Sequence, residues 1–285
     1  MQNKILIIAG MHRSGTSLIT QWLYRCGLDV GENLLGSGIG NDDGHYEDLV
    51  FYDFQRKVLR NNNIHDSGFT DEPVPPLTFR EKEQLKAIIS NKNKLVEQWG
   101  WKDPRTCLFL REYETLIPDA NHLVVFRDWK STVSSMISRE YKVKYAHDEI
   151  VKNGWFIEFR KRRAYNKRIR KLCAEQASFF LKVWIFYNKE ILASINRTAN
   201  ENSIIVNYAL LLKSDRAVFE KLTNHWQFDL SYLDFKEIYK PGLLSKEINV
   251  GKFIEKELID EADALLNILE KKAAMNPDYN IQESF

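Results

Sequence analysis

The sequence predicts an α/β protein with a central parallel sheet flanked by helices in three layers and a helix-rich C-terminal half. Three observations predict it. Short β-rich runs recur at Lys4–Ala9, His122–Phe126 and Ser203–Val206, each followed by residues of helical spacing. Strands that alternate with helices imply parallel pairing with both sheet faces covered. No composition break, repeat or low-complexity linker divides the chain, so residues 1–285 read as a single domain.

Lys4–Ala9 (KILIIA) ends at a glycine and reads as a buried strand. A turn from Gly10 to Gly15 leads into a helix from Thr16 to Cys26, stopped by Gly27. Residues 31–46 hold five glycines and read as loop. Glu47 starts a helix to Leu59, and residues 61–78, with three prolines, are loop again. Thr78-Phe79-Arg80-Glu81 is a capping box opening a helix to about Leu95. Trp99–Lys102 suits a short strand. Asp103-Pro104 then reads as N-cap and first residue of a helix to about Leu116. His122–Phe126 (HLVVF) passes through Arg127-Asp128 into a helix to about Arg139. Apolar residues recur at helical spacing from Trp155 to Asn196, and two more helices are expected near 215–226 and 255–273.

Composition narrows the function. Hydrophobic residues make up 44% and charged residues 28%, with a net charge of +2, which excludes a disordered chain, a fibre or a coiled coil. Cys26, Cys107 and Cys173 are too few and too scattered for a disulfide framework or a zinc site, and no metal is expected. The apolar run Ile5–Ala9 is far short of the ~20 residues of a spanning helix and of the core of a secretory signal. A cytoplasmic enzyme is the expectation.

Chemistry concentrates after the first strand, in Ala9-Gly10-Met11-His12-Arg13-Ser14-Gly15-Thr16-Ser17. Strand, glycine turn and helix start together make a phosphate cradle, because backbone amides point into the turn and the helix adds its positive end. The spacing Gly10-x4-Gly15 followed by Thr16-Ser17 matches the nucleotide-binding P-loop at its glycines and final hydroxyl. The P-loop lysine is replaced by Thr16, and Arg13 sits inside the loop. Arginine rather than a metal ion is therefore expected to neutralise the anion. A kinase or nucleotidase using Mg-ATP, and a non-catalytic anion-binding module, are the alternatives.

This loop resembles that of the sulfotransferases, which use 3′-phosphoadenosine-5′-phosphosulfate (PAPS) and carry Pro/His-Lys/Arg-Ser-Gly-Thr-Thr/Ser after the first strand. A second motif of that family, a strand ending in Arg with a Ser eight residues later, is similar to Arg127 and Ser135. Asn41-Asp42-Asp43-Gly44-His45-Tyr46-Glu47-Asp48 and Trp101-Lys102-Asp103-Pro104-Arg105-Thr106 resemble segments of the branch with carboxylate bases, which includes carbohydrate and protein-tyrosine sulfotransferases. The resemblance spans roughly residues 4–210 and implies a three-layer P-loop fold. The Arg-Lys-Gly loop of the cytosolic branch is not found; Lys240-Pro241-Gly242 or Lys246 stand in its region.

The resemblance implies a site. Arg13, Ser14, Gly15, Thr16 and Ser17 would hold the 5′-phosphosulfate, and Arg127 with Ser135 the 3′-phosphate. Arg13 and Lys102 would stabilise the leaving phosphate. Glu47 is the expected base, with His45 the second choice. Arg105 and His45 are candidate acceptor contacts. A cation in the first turn of a helix also needs an anionic ligand or a carboxylate partner. Asp103 is expected to cap its helix, and Tyr208 is either an adenine contact or a core residue. His12 packs or touches phosphate.

Residues 152–171 carry nine Lys/Arg and one acid, Glu158, a local +8 in a chain of +2. This stretch suits either an anionic acceptor or a solvated basic helix. No nucleic-acid module accompanies it. The acceptor is expected to be a carbohydrate, a glycolipid or a small hydroxylated molecule.

Overall fold

The computed structural model describes residues 3–36, 38, 44–145, 155–198, 200–239 and 247–274. Four strands form one parallel sheet: β1 (Lys4–Ala9), β2 (Gln98–Lys102), β3 (Asn121–Phe126) and β4 (Ser203–Asn207), in the order β2-β1-β3-β4. The register pairs Ile8 with Lys102, Ala9 with Val124, and Phe126 with Asn207. All four strands therefore deliver their next residues to one edge of the sheet. The chain leaves β1 for β2 on one side and then crosses to β3 on the other. Such a switch point opens a crevice beyond the strands' carboxyl ends, where ligands of open α/β sheets bind.

Alternation within the strands builds the layers. Ile5, Ile7 and Ala9 face one core with Trp99, Trp101, Val124 and Phe126, while Leu6 and Ile8 face the other with Leu123, Val125, Ile204 and Val206. The first core is covered by α2 (Leu49–Asn61), α3 (Phe79–Leu95), α5 (Trp129–Tyr145), α6 (Trp155–Arg197) and α8 (Lys256–Ala274). The second is covered by α1 (Thr16–Arg25) and α7 (Tyr208–Glu220). The three-layer α/β expectation is met. No helix among the described residues is long and apolar enough to cross a membrane.

Several boundaries differ from expectation, each for a local reason. Helix α2 begins at Leu49, because Asp48 is its cap and accepts from the Val50 amide at 2.9 Å, so Glu47 lies before the helix. Asp103-Pro104 opens a 3₁₀ segment (Pro104–Phe109) before α4 (Leu110–Leu116), not one continuous α-helix. Helix α5 runs on past Arg139 to Tyr145. Helix α7 starts at Tyr208, seven residues early, because Asn207 ends β4 and also caps the helix through the Ala209 amide. Its last turn passes into a π-helical one at Lys221–His225. The capping box at Thr78 forms as read, Thr78 and Glu81 bonding reciprocally.

Candidate functional site

The loop after β1 has no room for side chains at its glycines. A Cβ on Gly10 would lie 2.4 Å from the Val125 carbonyl oxygen, and one on Gly15 would lie 2.1 Å from the Tyr208 ring. Gly15 also has φ +95°, which L-residues avoid. The turn between is closed by Ser14, whose amide and hydroxyl both donate to the Met11 carbonyl, at 3.2 and 2.7 Å. Helix α1 opens on Gly15 with no side-chain cap. Its first amides therefore keep the unsatisfied positive end that favours an anion.

The second motif meets this loop. Arg13 Nε donates to Ser135 Oγ at 2.9 Å, joining β1's loop to α5 across 122 residues. Arg127, at the end of β3, lies 5.6 Å from the Tyr208 ring centroid, and that ring covers Gly15. Tyr208 thus ties the two motifs together. Burial lowers the pKa of Arg13, and Arg139 and Arg127 lower it further by repulsion. A buried cation crowded by two others is stabilised by an anion among them. Arg139 was missed in the sequence. Its spacing of four residues from Ser135, one helical turn, is the signal that could have found it.

On the opposite side, Lys102 ends β2 with its side chain fully buried. Its Nζ donates to Glu47 Oε1 at 3.0 Å, to Ser17 Oγ at 3.2 Å and to the His45 carbonyl. The Glu47 segment is pinned by backbone bonds, Leu35 N to Glu47 O at 2.8 Å and Leu49 N to Asn33 O at 2.9 Å. The His45 imidazole is held below its ordinary pKa, chiefly by burial; Glu47 opposes this, and Lys102, Arg139 and Arg13 reinforce it. The structure therefore brings Glu47, Ser17 and the His45 carbonyl onto Lys102, with Arg13 close enough to act on the His45 ring.

Arg105 is committed to protein partners. Its backbone amide donates to Asp103 Oδ1 at 2.7 Å, and its Nη1 reaches both Asp103 oxygens at 2.9 Å. Its Nε donates to the Asp66 carbonyl at 2.8 Å, and the guanidinium lies 4.8 Å from the Tyr52 ring centroid. Of the two partners expected for this cation, the carboxylate is the one present. Asp103 caps as expected and is pushed up to about 6 by burial, with Glu47 adding and Arg105 opposing.

The basic stretch opens α6, and residues 160–167 are exposed on every face. Its described contacts are surface ones, such as Arg168 over the Tyr145 ring at 4.3 Å and Lys171 to Glu175 at 3.7 Å. Lys152, Lys240-Pro241-Gly242, Lys246 and Asn41 to Asp43 lie outside the described residues.

The parallel α/β sheet, with its arginine-bearing glycine turn at the switch point, has the fold of solved sulfotransferases. No protein-family model matches the chain. Over 174 residues it is 24% identical to a Caenorhabditis briggsae protein named as a protein-tyrosine sulfotransferase, covering 59% of this chain and 53% of that one. It thus spans about half the length of that curated relative. The solved sulfotransferase STF9 from Mycobacterium avium superposes with a TM-score of 0.54 at 12% identity, over 95% of this chain and 77% of that one. This likeness establishes the shared fold. A sulfotransferase from Alicyclobacillus acidocaldarius gives 0.48 at 12% identity, over 96% and 95%.

Proposed function

We propose that the protein is a sulfotransferase that takes its sulfuryl group from PAPS and passes it to a hydroxyl or amine of an acceptor. The observation that carries this reading is the bridge made by Lys102. One ammonium contacts both the hydroxyl of Ser17, at the start of α1, and a buried carboxylate, Glu47. This supports Glu47 as the group that takes the acceptor's proton close to the anion cradle.

PAPS supplies an activated sulfuryl group whose leaving group is a phosphate. The residues present suit such an anion: the uncapped start of α1, the hydroxyls of Thr16 and Ser17, and the arginines, while Ser14 holds the turn in shape. Arg127 and Ser135 would hold the 3′-phosphate, with Tyr208 against the nucleoside. Arg13 and Lys102 would offset charge growing on the bridging oxygen as its bond to sulfur breaks. Glu47 would take the acceptor's proton as the new oxygen–sulfur bond forms, a step typically worth ~10²–10⁴-fold. His45 would line the acceptor side. The acceptor class is a carbohydrate, a glycolipid or a small hydroxylated molecule, and the exposed cations of α6 suit an anionic one.

Thermal unfolding with adenosine 3′,5′-bisphosphate tests the reading against Mg-ATP, each with and without chelator. A ligand at ~100-fold its Kd adds about 2.7 kcal/mol. Stabilisation by the bisphosphate should survive chelation and vanish in Arg127→Ala. Stabilisation by Mg-ATP alone would replace this function with a kinase.

A further inference from the structure

Helix α6 is 43 residues long and packs into the first core from Ile169 onward, through Leu172, Cys173, Phe180 and Trp184 among others. Residues 160–167, before that point, are exposed on every face. Residues 160–171 carry eight Lys/Arg and no acid. Like charges stand one turn apart at Arg160 and Arg163, at Arg163 and Lys167, and at Lys167 and Lys171, a spacing that destabilises a helix. Glu175 takes Lys171 at 3.7 Å and Lys144 of α5 at 4.0 Å. Arg162, Arg163, Lys167 and Arg170 have no carboxylate partner among the described residues.

Those four cations and Asn166 recur at helical spacing and line an open groove of about 520 Å³. Apolar surface lies on another side of the same end of the helix. The Tyr165 ring meets Tyr141 of α5 edge-on, centroids 4.8 Å apart, and Tyr141 lies 5.1 Å from Tyr145. Arg168 sits over the Tyr145 ring at 4.3 Å. Tyr165 is 41% exposed and Val143 48%, and Val143 stands between the exposed Lys142 and Lys144. Cations thus surround this end of the α5–α6 pair, with tyrosine and valine exposed among them. A linear polyanion in the groove would neutralise one side and leave the tyrosine and valine in water. A headgroup layer that the end enters offers phosphates on every side and an apolar boundary beneath them, and Tyr and Val beside Lys/Arg suit that interface.

We propose that the α6 segment 160–171, with the end of α5, docks the protein on a membrane surface of anionic phospholipid. The cations engage lipid phosphates, and Tyr165 and Val143 enter the layer below. Ser135 lies ten residues before Tyr145 on α5, about 15 Å along the helix, so docking holds the phosphate cradle close to the membrane. Among the acceptor classes this favours a glycolipid, whose sugars project from the same surface. That consequence rests on the sulfotransferase reading; the docking does not.

The test is co-sedimentation of the full chain with vesicles of phosphatidylcholine alone and of phosphatidylcholine mixed with phosphatidylserine. Binding should require the serine lipid and weaken as salt is raised. Each of Arg162→Gln, Arg163→Gln, Lys167→Gln and Arg170→Gln should weaken it about fivefold, the value of one basic residue at an anionic surface. These side chains are exposed, so the melting temperature and its rise with adenosine 3′,5′-bisphosphate should not change. Val143→Ser combined with Tyr165→Ser should weaken vesicle binding roughly tenfold and leave heparin binding as it was. Val143→Ser alone, at an exposed position, should show part of that loss with the fold intact. Equal binding to the two vesicles, binding to heparin but to neither vesicle, or wild-type vesicle binding by the fourfold glutamine variant or by Val143→Ser with Tyr165→Ser would each overturn the proposal. Failure of the bisphosphate to stabilise wild type would instead remove the sulfotransferase reading, while the vesicle results would still decide the docking.

Discussion

Arg13 Nε and Ser135 Oγ, 122 residues apart in the chain, form a 2.9 Å hydrogen bond. The bond orients a guanidinium whose pKa is lowered by burial and, further, by Arg139 and Arg127. Ser135→Ala removes this acceptor and with it one restraint on the guanidinium. Affinity for adenosine 3′,5′-bisphosphate should fall about tenfold, or 1.4 kcal/mol, by calorimetry. Ser138→Ala, whose hydroxyl returns to the Ser134 carbonyl of its own helix, should leave it unchanged.

Glu47 and Lys102 form a buried ion pair at 3.0 Å. Glu47→Gln keeps the shape and removes the proton acceptor, so sulfuryl transfer should slow by about 10²–10⁴-fold with bisphosphate binding retained. Lys102→Met leaves a buried carboxylate unpaired and should cost about 3–5 kcal/mol in denaturant unfolding. Combining the two changes should cost less than their sum, since neither charge then lacks its partner. Strict additivity would mean that the pair is not coupled.

Gly15 has φ +95° and sits under the Tyr208 ring. Gly15→Ala requires both a left-handed alanine and a displaced tyrosine. Stability should drop by about 2–4 kcal/mol, and the bisphosphate should no longer raise the melting temperature. Gly27 also has positive φ, but a Cβ there meets nothing within 4 Å, so Gly27→Ala should cost stability alone.

His122 lies buried in β3, and burial pushes its pKa down to about 4, with Glu114 opposing. Between pH 4 and the ordinary value of 6.5, the unfolded chain binds a proton that the folded one does not. Stability is therefore fully present above pH 6.5 and lost as pH falls, by at most about 1.4 kcal/mol per unit. In His122→Gln this acid limb should flatten, as measured by unfolding between pH 4.5 and 7. The lowered pKa of His12 acts in the same direction, so part of the slope should remain.

Local pattern was enough for the strands, most helices and the glycine turn after β1. Apolar periodicity, the Thr78 capping box and the glycine turn each act within a few residues, so KILIIA, HLVVF and SIIV could be read directly. Arg13 could be singled out from the glycine loop that contains it, and Arg127 and Ser135 from their resemblance to a sulfotransferase motif. Helix α7 was placed late because Asn207 serves both strand and helix, leaving no loop to mark the change.

What the chain order alone could not decide is who meets whom. The sheet order β2-β1-β3-β4 brings Lys102 beside the β1 loop and Arg127 beside Tyr208. It also let Asp103 claim Arg105, and let the 66–69 loop reach His12, contacts between segments tens of residues apart or between two equally plausible partners. The sequence by itself determined the elements, because those depend on short-range geometry. Only the tertiary structure decided the pairings, because burial of both sheet faces, not any local preference, sets which strand ends converge.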